Sequence, residues 1–192
     1  MPVYNGSRYL GEAIESILNQ TFADFEFLII DDASTDDSVE ALKTFVDSGE
    51  IRLIHNSENL GIGASAQKGV EHSRGKFIVR VDSDDYVQPP FLYMLYNFLK
   101  FNPKYIAVSC DYFMTDNEER IISCESFKEN GLACGLMFRT SYLEIIGSYN
   151  SNKRVFEDKD LFKRLEREKV YHLPVPLYNY VKHGNSITDF HK

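Results

Sequence analysis

The first half of the chain alternates between short apolar runs and amphipathic segments, and this alternation constrains the fold more than any other feature. Apolar runs bounded by turn residues predict strands, and apolar residues at helical spacing predict helices. The predicted strands cover residues 25–30, 51–54 and 77–81, and the predicted helices cover about 8–20, 37–48 and 62–73. Ser7 is the predicted cap of the first helix. Strands and helices that alternate with short connections predict an α/β fold, with a Rossmann-like, mainly parallel sheet flanked by helices.

The second half predicts a smaller, mixed part with antiparallel strands. A hairpin is expected over residues 112–124, turning at the polar run 116–119. The other predicted strands cover 105–110, 134–138, 170–173 and 177–181, and the predicted helices cover 91–101, 140–146 and a segment starting near 158. No repeat or long linker separates the two halves, so the 192 residues are expected to form a single domain.

Acidic residues follow two of the predicted strands. Asp31 and Asp32 end the strand at 25–30, and Asp82, Asp84 and Asp85 follow the strand at 77–81. In a parallel sheet, ligands bind beyond the carboxyl ends of the strands. Like charges this close repel one another, and a divalent cation is the simplest counter-charge for them. Taken alone, residues 82–85 also fit a solvated acidic turn, in which Asp and Ser side chains form hydrogen bonds with their own backbone.

Composition narrows the function classes. The net charge of −8 argues against sequence-independent nucleic-acid binding, which needs a basic surface, but a nucleotide substrate remains compatible if a metal supplies positive charge. Three cysteines without a C-x-x-C pair predict neither a disulfide framework nor structural zinc, and they fit a reducing compartment. No apolar run approaches the roughly 20 residues of a membrane span. A cytoplasmic protein is therefore expected, with peripheral contact at the inner membrane face left open.

Nine short motifs, taken together, resemble family 2 glycosyltransferases with the GT-A fold. They occur in the expected order along essentially the whole chain, and none is specific alone. The matching stretches are residues 2–5 (Pro-Val-Tyr-Asn), 17–21 (Ile-Leu-Asn-Gln-Thr), 30–36 (Ile-Asp-Asp-Ala-Ser-Thr-Asp), 59–61 (Asn-Leu-Gly), 75–78 (Gly-Lys-Phe-Ile), 82–85 (Asp-Ser-Asp-Asp), 138–139 (Phe-Arg), 147–149 (Gly-Ser-Tyr) and 157–158 (Glu-Asp).

The resemblance implies a nucleotide-sugar donor, usually a UDP-sugar, bound by a nucleotide-binding half at residues 1–88. Pro2, Val3 and Tyr4 are expected to line the base and ribose. A base can stack on the Tyr4 ring, although the ring could instead pack against the first helix. Asp32 is expected to accept the base N–H, to form an Asx turn or cap for the second helix, or to do both.

The resemblance also implies a divalent metal, Mn²⁺ or Mg²⁺, bound by the D-x-D motif Asp82-Ser83-Asp84. Asp84 would ligate the ion that bridges the diphosphate, and Asp82 would face the ribose or a metal-bound water. His183 matches a tail histidine that ligates the metal in some family members, and Asp85 could be a further ligand or a cap. The ion neutralises the charge of the departing diphosphate.

The half at residues 89–192 is expected to hold the acceptor and the catalytic base. Asp158 is the candidate base that takes the proton of an acceptor hydroxyl in a one-step, inverting displacement. Glu157 would position the acceptor or Asp158. Alternatively, Asp158 is the N-cap of this helix, because capping and the helix dipole both favour Asp at the start of a helix. The acceptor is expected to be a glycan or a lipid-linked sugar, chosen by residues within 112–135.

Two departures from the family pattern matter. The apolar strand that normally precedes the Pro-Val-Tyr-Asn motif is nearly absent, which should expose neighbouring strand edges. A truncated or non-catalytic module that binds nucleotide or a protein partner is therefore the alternative function. Second, Ala66 and Gln67 stand where many members have Arg-Asn. Lys68 or Arg80 would then supply the positive charge near the nucleotide.

Overall fold

The computed structural model describes residues 1–127 and 134–183, which form an α/β fold as expected. The strands are β1 Pro2–Val3, β2 Leu28–Asp31, β3 Arg52–His55, β4 Phe77–Val79, β5 Tyr86–Val87, β6 Ala107–Thr115, β7 Ile121–Glu125, β8 Met137–Arg139 and β9 Val170–Val181. The helices are α1 Leu10–Leu18, α2 Ser38–Asp47, α3 Ile62–His72, α4 Phe91–Phe101, α5 Thr140–Ile146 and α6 Glu157–Arg164, and a 3₁₀ turn covers Arg167–Lys169. No helix in the described ranges is both long and apolar enough to cross a bilayer.

The strands form two sheets rather than the single sheet expected from the alternation. β1, β2 and β3 make a parallel three-stranded sheet in that order. The second sheet is mixed, with the order β4-β8-β6-β9-β5 and with β7 on β6. β4 therefore pairs with β8, antiparallel, and not with the first sheet. The physical reason is the length of β1, because a strand of two residues is too short to connect β2 with β4.

Local differences from the predicted elements have identifiable causes. Helix α1 begins at Leu10, and Ser7 is not its cap: the Ser7 N–H donates to Asp36 Oδ2 at 3.1 Å. In the second half, the two strands predicted at 170–173 and 177–181 are one continuous strand, β9. Its register against β6 shifts on both sides of Asp111. These irregularities accommodate two prolines that lack an N–H for the sheet.

Apolar helix faces cover both sheets. Helix α1 buries residues at helical spacing, and α4 does the same; the buried residues are Leu10, Ala13, Ile14 and Ile17 of α1 and Phe91, Leu92, Leu95 and Leu99 of α4. They belong to the main core together with β2 and β6. A second apolar cluster joins α3, α5 and α6 on the other side. The loops at the carboxyl ends of β1, β2 and β4 thus project from a packed base.

The chain's amino group lies buried at the amino end of β1. The Met1 ammonium donates to the Leu28 carbonyl at 2.8 Å, as a strand N–H would, and the Ile30 N–H donates to the Met1 carbonyl at 2.9 Å. Burial lowers the pKa of the Met1 ammonium from 8.0 to about 5, while the charge of Asp82 raises it and that of Arg80 lowers it. The fold therefore favours the neutral amine.

This buried amine predicts that stability increases with pH. Because the folded-state pKa lies below the unfolded value, the unfolded chain binds more protons between pH 5 and 8, and the free energy of unfolding should rise across that window. The gain is about 4 kcal/mol if the full shift is realised. Urea denaturation from pH 5 to 8 measures it, with the Nα-acetylated chain as control. Parallel pH curves for the two chains would contradict this assignment.

Candidate active site

The segment that follows β1 is fastened to the loop after β2. Asn5 takes a left-handed conformation, with φ of 51°, and its side-chain oxygen accepts hydrogen bonds from the N–H groups of Thr35 at 2.8 Å and Asp36 at 3.3 Å. The Gly6 N–H donates to the buried Ser38 hydroxyl at 2.9 Å. This attachment holds Tyr4 with half of its side chain exposed. The Asn-Gly pair indicated a turn in the sequence, but the partner of Asn5 could not be identified from it.

The three residues expected to line the base and ribose differ in what they expose. Tyr4 is 50% exposed and free to stack on a base, whereas Val3 is 2% exposed and lies in the core. Pro2 faces a cavity between the two sheets. A ligand beyond the strand ends can therefore meet the ring of Tyr4, but it can meet Val3 only through the backbone.

Asp31 and Asp32 are both buried and both organise loops. Asp31 accepts from the Ser34 N–H at 3.2 Å and lies 3.2 Å from His55 Nδ1. Asp32 accepts from Asn56 Nδ2 at 2.7 Å and from the N–H groups of residues 60 and 61 at 2.9 and 2.8 Å. Three donors leave one of about four carboxylate acceptor sites for a ligand. Asp32 does not cap α2, whose N-cap residue is Asp37.

Lys68 extends the Asp32 network. Its ammonium donates to Asn56 Oδ1 at 2.7 Å, and Asn56 in turn donates to Asp32. The positive charge is thus joined to the Asp32 loop through Asn56. Ala66, by contrast, is buried and lines the cavity between the sheets.

The corner where α3 begins packs closely against residues 150–154. A Cβ on Gly63 would lie 2.3 Å from the Lys153 carbonyl oxygen and 2.7 Å from that of Asn150. We expect Gly63→Ala to lower the free energy of unfolding by about 2–3 kcal/mol, because backbone atoms must move. Gly11→Ala is the matched control: a Cβ there meets nothing within 4 Å in α1, so the change should stabilise by about 0.5–1 kcal/mol. Urea denaturation compares them, and equal effects would contradict the close packing.

A buried ion network joins the end of β4 to the start of α6. Arg80 lies with Nε 2.9 Å from Asp82 Oδ1, and it donates to Glu157 Oε1 at 2.7 Å. Its guanidinium also lies over the Tyr149 ring, 5.6 Å from the centroid. Burial raises the pKa of Asp82 and the Arg80 charge lowers it, with a net upward shift. Arg80 therefore fixes Asp82 and Glu157 relative to each other, so Glu157 bonds Arg80 rather than reaching outward.

Asp84 and His183 are separated by 99 positions in sequence and meet in space. His183 Nε2 lies 2.9 Å from Asp84 Oδ2. The His183 ring is 7% exposed and stacks on Tyr9 with the centroids 4.5 Å apart. Its Nδ1 atom is buried and has no hydrogen-bond partner within the described ranges. Tyr9, which orients the imidazole by stacking, was not identified from sequence patterns.

Asp85 is a structural carboxylate and not a cap. The Tyr178 hydroxyl donates to Asp85 Oδ2 at 2.7 Å, and the Val181 N–H donates to Asp85 Oδ1 at 2.9 Å. Potential ligand atoms of Asp82, Asp85 and Cys134 lie within 4.8 Å of one another. Through its bonds to Tyr178 and Val181, Asp85 attaches β9 to the D-x-D loop.

Asp158 occupies the first turn of α6 and does not cap it. The N-cap position belongs to Phe156, in a left-handed conformation with φ of 59°, and it makes no side-chain cap bond. Asp158 Oδ1 accepts from the Lys159 N–H at 2.7 Å. Its partly exposed carboxylate therefore stands beside Glu157, which the Arg80 network joins to Asp82.

The structure brings predicted site residues together in three groups: Asp32 with Lys68 through Asn56, Asp82 with Glu157 through Arg80, and Asp84 with His183. Ser83 lies against the segment that follows β1, because a Cβ on Gly6 would lie 3.3 Å from Ser83 Oγ. The donor set of Asp84 and His183, one carboxylate oxygen and one imidazole nitrogen, fits a divalent transition ion such as Mn²⁺. Residues 128–133, within the region expected to choose the acceptor, lie outside the described residues.

Comparison with known proteins identifies the family. The family model described as glycosyl transferase family 2 matches residues 1–167. The chain belongs to glycosyl transferase family 2. Relatives in the family include an Escherichia coli chondroitin synthase, 28% identical over 97% of this chain and 29% of the synthase. The resemblance inferred from the collinear motifs is thereby confirmed.

Solved structures confirm the GT-A fold expected of a family 2 glycosyltransferase. Staphylococcus aureus TarS residues 1–349 in complex with UDP-GlcNAc superposes with a TM-score of 0.82, at 20% identity, over 96% of this chain and 58% of that chain. The Pyrobaculum calidifontis mannosyltransferase PcManGT, in complex with GDP-Man and Mn²⁺, gives a TM-score of 0.73 at 18% identity, over 94% of this chain and 55% of that chain. This chain therefore spans little more than half of these neighbours.

Proposed function

We propose that this chain transfers a sugar, with inversion, from a nucleoside-diphosphate sugar to a hydroxyl group of a glycan or lipid-linked acceptor. The observation that carries the proposal is the meeting of Asp84 and His183 at 2.9 Å, with Ser83 against Gly6 of the segment that carries Tyr4. In this arrangement, residues 1–88 bind the nucleotide, and residues 89–192 supply the acceptor side and the catalytic base.

The donor is a UDP-sugar in this proposal. The exposed Tyr4 ring stacks on the base, and the remaining acceptor site of Asp32 receives a base N–H. Lys68, joined to Asp32 through Asn56, keeps positive charge beside the nucleotide. The UDP-GlcNAc complex of TarS, which shares the fold, supports this choice of donor class.

Asp84 and His183 would hold the metal, and the ion pair with Arg80 fixes Asp82 two residues away from Asp84. Bound there, a divalent ion stabilises the negative charge of the leaving diphosphate. An imidazole ligand favours Mn²⁺ over Mg²⁺, which prefers oxygen ligands throughout. Tyr9 holds the imidazole in place by stacking.

Asp158 acts as the general base on the acceptor. Its carboxylate takes the proton as the acceptor oxygen forms a bond to the anomeric carbon, while the bond from that carbon to the diphosphate breaks on the opposite face. Glu157 acts as a positioning residue, because its bond to Arg80 fixes the first turn of α6 beside the D-x-D loop.

Calorimetric titration with UDP, with and without Mn²⁺, tests the binding site. We expect Mn²⁺ to tighten UDP binding about 10- to 100-fold in the unaltered chain. Asp84→Asn should remove most of that gain, because the variant loses a charged ligand. Asp116→Asn, on the exposed hairpin, is the control and should retain it. A donor-hydrolysis screen across UDP- and GDP-sugars then identifies the sugar.

The alternative is a non-catalytic module that binds a nucleotide or a protein partner, and the division of the sheet into two favours it. Binding of UDP without any effect of Mn²⁺, together with no hydrolysis of any donor, would establish this alternative and overturn the proposed transfer.

A further inference from the structure

Phe156 combines a strained backbone with an exposed aromatic ring. Within residues 1–127 and 134–183, five non-glycine residues have a positive φ, and Phe156, at 59°, is the aromatic one among them. Bulky side chains are rare in this left-handed region, because the Cβ atom crowds the backbone. The residue is also 39% exposed, although contact with water is unfavourable for an apolar ring. A strained residue that exposes an aromatic ring is typical of a position that contacts a ligand.

Two fixed points hold Phe156 in this conformation. On one side, Arg154 Nη2 donates to the backbone carbonyl and to the side-chain oxygen of Asn59, each at 2.9 Å. On the other side, Glu157 accepts from Arg80 at 2.7 Å. Two residues connect these anchors, so the backbone between them has little freedom to relax. Contacts outside Phe156 therefore maintain the strain, and its side chain need not be buried to keep it.

The Phe156 ring precedes the candidate base by two residues. Asp158 lies in the first turn of α6 with a partly exposed carboxylate. The ammonium of the exposed Lys159 lies over the Phe156 ring, 4.2 Å from its centroid. Glu157, by contrast, is buried and bonded to Arg80. The start of α6 thus presents three groups to solvent: an aromatic ring, a carboxylate and an ammonium.

These three groups match the chemistry of a sugar ring. A pyranose presents C–H groups on one face, and these pack against the electron-rich face of an aromatic ring. The hydroxyl groups around its edge donate to a carboxylate and accept from an ammonium. The Asp158 carboxylate repels a phosphate, so the combination favours a sugar over the phosphate group of a lipid carrier.

We propose that Phe156 binds the terminal sugar of the acceptor. The sugar ring packs on the Phe156 ring, and one of its hydroxyl groups faces Asp158. Lys159 supports the aromatic ring from the side that its ammonium covers. This assignment rests on the proposed function, because it names the acceptor of that transfer. It narrows the acceptor to a molecule that ends in a sugar, and it makes Phe156 a binding residue with no part in the proton transfer.

UDP release from the donor found in the hydrolysis screen tests this assignment, with acceptor probes added. The probes are the methyl glycosides of glucose, galactose, N-acetylglucosamine and glucuronic acid, and farnesyl phosphate represents a lipid phosphate. We expect at least one glycoside to accelerate UDP release about 10-fold or more over hydrolysis, and farnesyl phosphate to have no effect.

Variants of Phe156 then show whether its ring binds that glycoside. Phe156→Ala and Phe156→Gly should raise KM for the glycoside about 10-fold or more with kcat little changed, because the lost contact is made before the reaction begins. Phe156→Tyr keeps the ring and should stay within about 3-fold. Phe101→Ala is the matched control: Phe101 is 70% exposed, a lysine also lies over its ring, and its loss should leave KM unchanged.

The glycine and alanine variants separate binding from folding. Glycine adopts a positive φ without strain and alanine does not, so Phe156→Gly should have a Tm about 2–4 °C above that of Phe156→Ala. Equal increases in KM in two variants of unequal stability would show that the missing ring, and not a weakened fold, is the cause. The reverse order of Tm would show an unstrained backbone and would overturn the proposal.

An unchanged KM for the glycoside in Phe156→Ala and Phe156→Gly would also overturn the proposal. Acceleration by farnesyl phosphate alone, or by none of the probes, would do the same, because the acceptor would then not present a sugar ring. Failure of the proposed function is distinguishable, since it is measured before any acceptor is added. In that case UDP does not bind with Mn²⁺ or no donor is hydrolysed, and the assignment of Phe156 is overturned with it.

Discussion

Asp158→Asn is expected to lower kcat for sugar transfer by about 10³-fold while UDP binding in the presence of Mn²⁺ stays unchanged. Asn keeps the size and the acceptor oxygen of Asp, but it cannot take the proton from the acceptor hydroxyl. Because Glu157 and not Asp158 bonds Arg80, the substitution leaves the ion network intact. Steady-state kinetics with the donor found in the hydrolysis screen measures the effect.

Asp160→Asn is the matched control for this change. Asp160 lies in the same first turn of α6, and its carboxylate pairs with Arg164 at 2.8 Å. Asp160→Asn removes the same charge from the helix end as Asp158→Asn does. It also breaks the ion pair with Arg164, which is about one-third exposed and contributes less than about 1 kcal/mol to stability. We expect kcat to remain close to that of the unaltered chain. An Asp158→Asn enzyme with unchanged kcat would show that another group takes the proton.

Arg80→Met is expected to lower the free energy of unfolding by about 3–5 kcal/mol, because it leaves the buried Glu157 and the half-buried Asp82 without their counter-charge. The Arg80 side chain is only 9% exposed, so solvent cannot replace it. Urea denaturation at pH 7 measures the loss. The same variant should weaken Mn²⁺-dependent UDP binding, because Asp82 and the first turn of α6 lose their common anchor.

A control and a double variant separate the ion network from simple loss of charge. Arg120 pairs with Asp116 at 2.8 Å but is 69% exposed, so Arg120→Met should cost at most about 1 kcal/mol. Adding Glu157→Gln to Arg80→Met should recover part of the stability, since one buried carboxylate is removed. If Arg80→Met and Arg120→Met cost the same, the buried network does not stabilise the site.

Much of the fold was predictable from local pattern. The periodicity of α1, α2 and α4 and the apolar runs of β2 and β3 predicted the α/β class, because helix and strand repeats are properties of neighbouring residues. The break of the sheet into two was not predicted, and neither was the single strand β9. Both depend on which strands pair in space. The prolines of β9 interrupt the strand pattern in the sequence, and only the irregular pairing with β6 shows that β9 is one continuous strand.

The site was predictable in its acidic residues and less so in its supports. Asp84 and His183 were named from family motifs, and the structure places the two side chains 2.9 Å apart. Arg80 had a usable signal: residues two apart on a strand share a face, so Arg80 and Asp82 were candidates for an ion pair. Tyr9 and Asn5 had none, because stacking and loop attachment depend on partners far away in sequence.

The sequence by itself determined the family, the order of strands and helices, and which carboxylates follow the strands. Composition and periodicity are local quantities, and motif order is read directly along the chain. Only the tertiary structure decided that Arg80 joins Asp82 to Glu157, that Tyr9 orients His183, and that a cavity separates β2 from β4. Those facts depend on distances between residues remote in sequence, which are set by packing of the whole core and not by any one segment.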